Sequence, residues 1–192
     1  MSKIILIVLL IFSFVFKING QNPLYKEKEI IPWSNMNKLT WDNFKGKPDN
    51  SNNKAITCST VYSKYETLIP NRIIINVRAC FIKKESWKKD KHPSEYHLNH
   101  EQKHFDIAEL FARKLRKILT DSVFQTEAIA RKEIPRIIRE NNKTLNLYQD
   151  LYDKETNHSI NKEQQGLWDV KIDKELNELE AYSSAVIDIR VR

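Results

Sequence analysis

What is missing or scarce in this sequence narrows what it can be. No apolar run reaches the about 20 residues that a transmembrane helix needs; the run from Ile4 to Phe16 stops short of that. No block of about five or more like charges occurs. Aromatic residues are not interleaved with basic ones in any nucleic-acid-binding pattern. Cysteine is scarce, with only Cys58 and Cys80. No internal repeat or low-complexity domain interrupts the chain. These absences argue against an integral membrane protein, a nucleic-acid binder, a disulfide-scaffolded miniprotein and a repeat protein.

What is present begins with a leader. Lys3 supplies a positive start, Ile4 to Phe16 is apolar but for Ser13, and Gly20 is a small residue suited to the position before a cut. Ile18 stands where a small residue is usual, and no lipid-accepting cysteine follows. Residues 1–20 are therefore expected to be a secretory signal peptide, and 21–192 one exported domain, periplasmic or extracellular. No stable membrane insertion is expected after cleavage. Removing the two charges of Lys3 and Lys17 from the net +7 leaves +5, read as a solubilising surface.

The pattern then divides. Ile56 to Glu66 and Arg72 to Ile82 are β-rich and flank Pro70-Asn71, which predicts a hairpin. Ile73, Ile75, Val77, Ala79 and Phe81 alternate onto one face of the second strand. A simple register about that turn puts Cys58 and Cys80 nearly opposite, so a disulfide is expected in an oxidising compartment. From about residue 95 the period becomes helical. Ile107, Phe111, Leu115, Ile118 and Leu119 form one stripe, with Gln102, Lys103, Asp106, Arg113 and Lys117 opposite. Further helices are expected over about 123–141, with Pro135 as a kink or break, about 144–153 and about 162–182, followed by a terminal strand at 185–191. The expectation is α+β: a small, mostly antiparallel sheet with about four helices.

The chemistry lies at His100-Glu101-Gln102-Lys103-His104. Positions four apart on a helix lie only about 40° apart, so His100 and His104 project side by side. Two neutral imidazoles one turn apart suit a single Zn²⁺ ion. Glu101 is rotated to the flank, where it can take a proton from water without being a ligand. This is the HExxH arrangement of metalloproteases. A catalytic zinc needs a third protein ligand. Asp106 and Glu109 point away on the wheel, and His97 comes near only if the helix begins before it. The segment from Tyr152 to Ser159 reads as the join between two helices. His158 is favoured as third ligand, with Asp153 or Glu155 next.

These residues carry a family resemblance. Leu39-Thr40-Trp41-Asp42-Asn43-Phe44-Lys45-Gly46, then Ser86-Trp87, then His100 through Glu109 with Ala112-Arg113, then Tyr152-Asp153 through Thr156 to His158, with Gln165 and Trp168 beyond, resemble a bacterial secreted zinc-dependent protease family long catalogued as a domain of unknown function. The resemblance implies a zincin-like peptidase fold, with His100 and His104 as ligands to one Zn²⁺, Glu101 as the catalytic glutamate and a role for His158. Family members usually carry glycine at the positions of Lys103 and Ser159.

The expected activity is zinc-dependent hydrolysis of peptide bonds in a peptide or protein substrate, with Glu101 as general base. Tyr148 or Tyr152 is a possible oxyanion donor. The alternatives are a zinc-dependent amidase or peptidase acting on cell-envelope peptides, and a non-catalytic zinc-stabilised binding module with a closed four-ligand site. No nucleic-acid partner is expected.

Overall fold

The long hairpin organises the chain because its second strand has partners on both sides. The computed structural model describes residues 27–69, 71–89 and 94–192. The leader at 1–20 lies outside the described residues, as do Pro70 and His92. Among the described residues, no helix is long and apolar enough to cross a membrane.

The strands are β1 (Ile30–Pro32), β2 (Ala55–Ile56), β3 (Ser59–Ile69), β4 (Arg72–Ile82), β5 (Trp87–Lys88) and β6 (Val186–Arg190). The helices are α1 (Glu95–Asp121), α2 (Glu127–Thr156) and α3 (Lys162–Glu178). Strand β4 pairs antiparallel with β3 along one edge. Along its other edge it pairs with β1 at residues 80–82 and with β6 at residues 72–76. A second small sheet pairs β2 with β5. The architecture is α+β with antiparallel sheets, as the periodicities indicated.

The alternation in β4 does what period two requires. Ile73, Ile75, Val77, Ala79 and Phe81 are buried, joined by Ile187 and Ile189 of β6. They pack on α1, which also meets α2 and α3 on its other sides. Helix α1 is thus the central element and is buried nearly all round from His100 to Arg113. That corrects the expected polar outer side. Gln102, Lys103, Asp106 and Arg113 are all buried. They satisfy one another and their neighbours: Asp106 Oδ1 accepts from Trp33 Nε1 and Gln102 Nε2, each at 2.8 Å, and Lys103 pairs with Asp173. Ile118, placed on the stripe, is instead 46 % exposed.

Two expectations about segments also change. The helices expected at 123–141 and 144–153 are one continuous α2, which gives three α-helices rather than four among the described residues. Pro135 lies within it, and the polar Asn141-Asn142 stretch is helical too. The hairpin register carries a bulge between Tyr65 and Thr67. It sets Cys80 opposite Thr60, while Ile82 N–H donates to the Cys58 carbonyl at 2.8 Å. Cross-strand diagonal neighbours are about 7–8 Å apart, beyond disulfide reach. Both thiols are free. Burial, with a hydrogen bond and negative charge from Glu85, pushes Cys58 up to about 12. Burial pushes Cys80 up to about 11. Neither is a ready nucleophile.

Outside the helices, the sequence blocks at 39–46 and 86–87 act as scaffold. Lys45 N–H and Gly46 N–H donate to the Lys83 and Ser86 carbonyls at 2.9 and 2.8 Å. Ser86 Oγ accepts from Cys58 N–H at 2.9 Å and donates to the Ile82 carbonyl at 2.8 Å. This fixes the run through β2 into β3 beside α1. A Cβ on Gly46 would lie 2.7 Å from the Lys84 carbonyl oxygen and 2.9 Å from that of Ser86. Both are backbone atoms that cannot rotate away. Gly46→Ala is therefore expected to cost about 1–3 kcal/mol of stability, as overpacking does, read from the denaturation midpoint. An unchanged midpoint would contradict this close approach.

Candidate metal centre

His100 and His104 sit on the same side of α1 because they are one turn apart. Asp153 is contributed by α2, which packs against α1. His100 Nε2 is 3.1 Å and His104 Nε2 is 3.0 Å from Asp153 Oδ1, and the two Nε2 atoms are 3.3 Å apart. Among the described residues, these three form a group whose ligand atoms could hold one metal ion. Tetrahedral ligands at the usual zinc distances of about 2.0–2.1 Å are spaced about 3.3 Å from one another. The triangle observed is close to one face of that tetrahedron.

The outer partners decide which ring nitrogens carry hydrogen. Gln165 Nε2 donates to Asp169 Oδ1 at 2.7 Å, so its Oε1 is the atom facing His100 Nδ1 at 2.8 Å. Gln149 Nε2 donates to the His104 carbonyl at 2.9 Å, so its Oε1 faces His104 Nδ1 at 2.6 Å. Each amide is oriented by a second, unambiguous acceptor. Both imidazoles therefore donate from Nδ1 and turn Nε2 toward Asp153. Three acceptors then meet at one point, an arrangement that needs a cation or a proton between them.

Without a metal the proton takes that place. Burial works against a charged His104, but the hydrogen bond and charge of Asp153, with Glu101 and Gln149 adding, raise it to about 8. Burial also works against a charged Asp153, yet its hydrogen bonds from His100 and His104 hold its carboxyl far below the ordinary carboxylate range.

His158, favoured as third ligand, lies beside this group rather than in it. Its Nδ1 is 3.5 Å from Asp153 Oδ1 and its side chain is 56 % exposed. The reason is where α2 ends. The helix runs to Thr156, so Asp153 faces α1 from its last turn, while His158 falls in the turn beyond. Asn157, His158 and Ser159 have φ of 47°, 50° and 71°. Three left-handed residues without a glycine are costly, and Ser159 occupies the position where the resembled family usually has glycine. Glu155 is turned away and accepts from Trp168 Nε1 at 2.8 Å. His97 lies within α1, with Nδ1 2.7 Å from Ser94 Oγ, and is not in the group. Tyr152 is fully buried, stacked on His100 at 4.7 Å, and Tyr148 donates to Glu175 at 2.8 Å. Neither tyrosine lines the cleft.

That cleft has a volume of about 600 Å³. His100, Glu101, His104 and Asp153 line one side, and the run from Ala55 to Ser59 lines another. Glu101 is 5 % exposed, and its Oε2 has no partner among the described residues. It is a carboxylate oxygen beside the metal group, buried and waiting for a donor.

Residues 34–159 match the model of a family described as "Bacterial protein of unknown function (DUF922)". The chain belongs to this family. No curated protein and no solved structure matches it. The matched span contains His100, Glu101, His104, Asp153 and His158, while α3 with Gln165 lies beyond it.

Gln149 and Gln165 carry no motif, yet Gln149 stands one turn before Asp153, a spacing that placed it on the same face. Replacing either by methionine, close in shape but unable to accept from imidazole, is expected to weaken metal affinity about 10–100-fold with the ligands intact, measured by chelator competition. Equal affinity in both variants would remove their orienting role. The raised His104 also fixes a sign. Metal-free stability from this group is complete below about 6.5 and is lost as pH rises through about 8. Melting in chelator should fall across that window, and saturating zinc should abolish the fall. A flat profile in chelator would contradict the His104–Asp153 pairing.

Proposed function

We propose that the protein is a zinc-dependent peptidase of zincin type, exported by its leader, with His100, His104 and Asp153 as ligands and Glu101 as general base. The observation that carries this reading is the convergence of three metal-binding atoms beside a fourth, non-ligand carboxylate with an unpartnered oxygen. Two imidazoles with one carboxylate, and a position left open, are the donor set of catalytic rather than structural zinc. A zinc ion held there polarises a carbonyl and lowers the pKa of water.

The chain's own residues do the rest. Gln149 and Gln165 hold the histidines so that Nε2 stays free for the metal. Asp153 supplies negative charge that offsets that of the ion. Glu101, one residue from His100 and on the cleft wall, takes a proton from the attacking water. The oxygen bonds to the scissile carbonyl carbon, the carbon–nitrogen bond breaks, and Glu101 passes the proton to the departing amine. The buried surroundings of Glu101 strengthen this exchange by keeping bulk water away. A closed four-ligand site is not favoured, because the group has three members among the described residues.

Glu101→Gln keeps the shape and removes the base. Zinc-loaded variant and parent should differ about 10²–10⁴-fold in kcat on a broad peptide library, with equal zinc content. Equal turnover by the two proteins rules out the mechanism.

A further inference from the structure

The metal cleft has two more unpartnered polar atoms than the proposed reaction uses. Trp41 Nε1 and Thr57 Oγ1 are buried atoms without a hydrogen-bond partner among the described residues, as is Glu101 Oε2, and all three residues line the same cleft. Folded proteins rarely leave such groups unpaired, because each gave up a hydrogen bond to water on burial. Glu101 is explained by the water it activates. Trp41 and Thr57 need an acceptor, since an indole N–H only donates and a threonine hydroxyl can rotate to donate.

Trp41 is held in place from behind. It opens a 3₁₀ turn, Trp41–Asn43, whose preceding residue Thr40 donates its N–H to Asn43 Oδ1 at 2.8 Å. Its ring packs on Phe44 at 5.0 Å, and Phe44 packs on Phe81 of β4 at 5.1 Å. Lys88 Nζ stands 5.8 Å from the Trp41 ring centroid, and Lys88 pairs in register with Ala55. The ring therefore lies beside the segment that carries Thr57. Ile56 and the 73 % exposed Ile160 add apolar surface to the cleft.

We propose that Trp41 Nε1–H and the Thr57 hydroxyl are a recognition pair that donates to a backbone carbonyl oxygen of an uncharged, apolar peptide. This rests on the reading of the cleft as a peptidase site. A carbonyl fits better than a carboxylate, because both donors are neutral and the two carboxylates of the cleft, Glu101 and Asp153, outnumber its one lysine, Lys54.

The test uses acetylated, amidated tetrapeptides of apolar residues with the zinc-loaded protein. Thr57→Val keeps the shape and removes only a donor, while Trp41→Phe keeps an aromatic ring against Phe44 and removes the donor together with part of the indole. For the best-cleaved peptide, each variant should lower kcat/KM about tenfold, through KM. Zinc content should be unchanged in both, and the melting temperature of Thr57→Val should be unchanged or higher, because an unpartnered donor has been removed. The Kd of that peptide for the Glu101→Gln protein should weaken by the same factor in each double variant. Unchanged KM and Kd in both variants overturn the recognition pair alone. A loss of melting temperature that accounts for the lost activity also overturns it, by making the residues structural. If the parent neither cleaves nor binds any capped peptide, the peptidase reading and this one fall together.

Discussion

Three acceptor atoms aimed at one point, two imidazole nitrogens and a carboxylate oxygen, cannot rest there without positive charge between them. That constraint governs the middle of this molecule. Turning both Nε2 atoms toward Asp153 requires both Nδ1 atoms to donate elsewhere, which requires Gln149 and Gln165. Gln165 in turn needs Asp169, which also accepts from Asn99 at 2.8 Å. Two helices, α2 and α3, thus have to dock on α1 in one register for the ligands to meet. The buried polar side of α1 has the same logic. Gln102, Lys103, Asp106 and Arg113 are buried along a second cleft beside α1, where Trp33, Asp173 and Glu180 supply partners. The resulting network reaches from Trp33 to Asp173.

The cleft is built by parts of the chain that look unrelated in sequence. Gly46 and Ser86 bring the run from Ala55 to Ser59 against α1, through backbone contacts that tolerate no side chain at Gly46 and need the hydroxyl of Ser86. The cleft lies at the junction of the small sheet with α1 and α2. Its walls are positioned by backbone contacts of Gly46 and Ser86 and by the packing of α2 on α1.

Much of this was legible in the residues. The period-two pattern of β4, the helical period after Glu95 and the four-residue spacing of His100 and His104 each follow from local geometry, and the structure keeps them. What was not legible depends on tertiary context. Pro135 reads as a kink or break, and the pattern sets one helix to end at about 141 and another to begin at about 144, but α2 runs through both places. Its extra length moves Asp153 onto the helix, facing the histidines, and leaves His158 outside the group. The cysteine pairing failed on simple counting: with Ile69 opposite Arg72, Cys58 falls level with residue 83, and the one-residue bulge at Tyr65/Thr67 brings it only to Ile82, two positions from Cys80. Burial of the polar side of α1 could not be read from a helical wheel, which knows of one covered face only. The wheel was right that Asp106 and Glu109 do not reach the metal group.

The central claim is that Asp153, with His100 and His104, holds one zinc ion, and that His158 does not. Zinc stoichiometry and affinity of the purified protein, beside Asp153→Ala and His158→Ala, test it directly. The account predicts about one ion per chain in the parent, near-parent affinity in His158→Ala, and a loss of about 10²-fold or more in Asp153→Ala. The reverse order of the two variants, or a parent that binds no zinc, would contradict it.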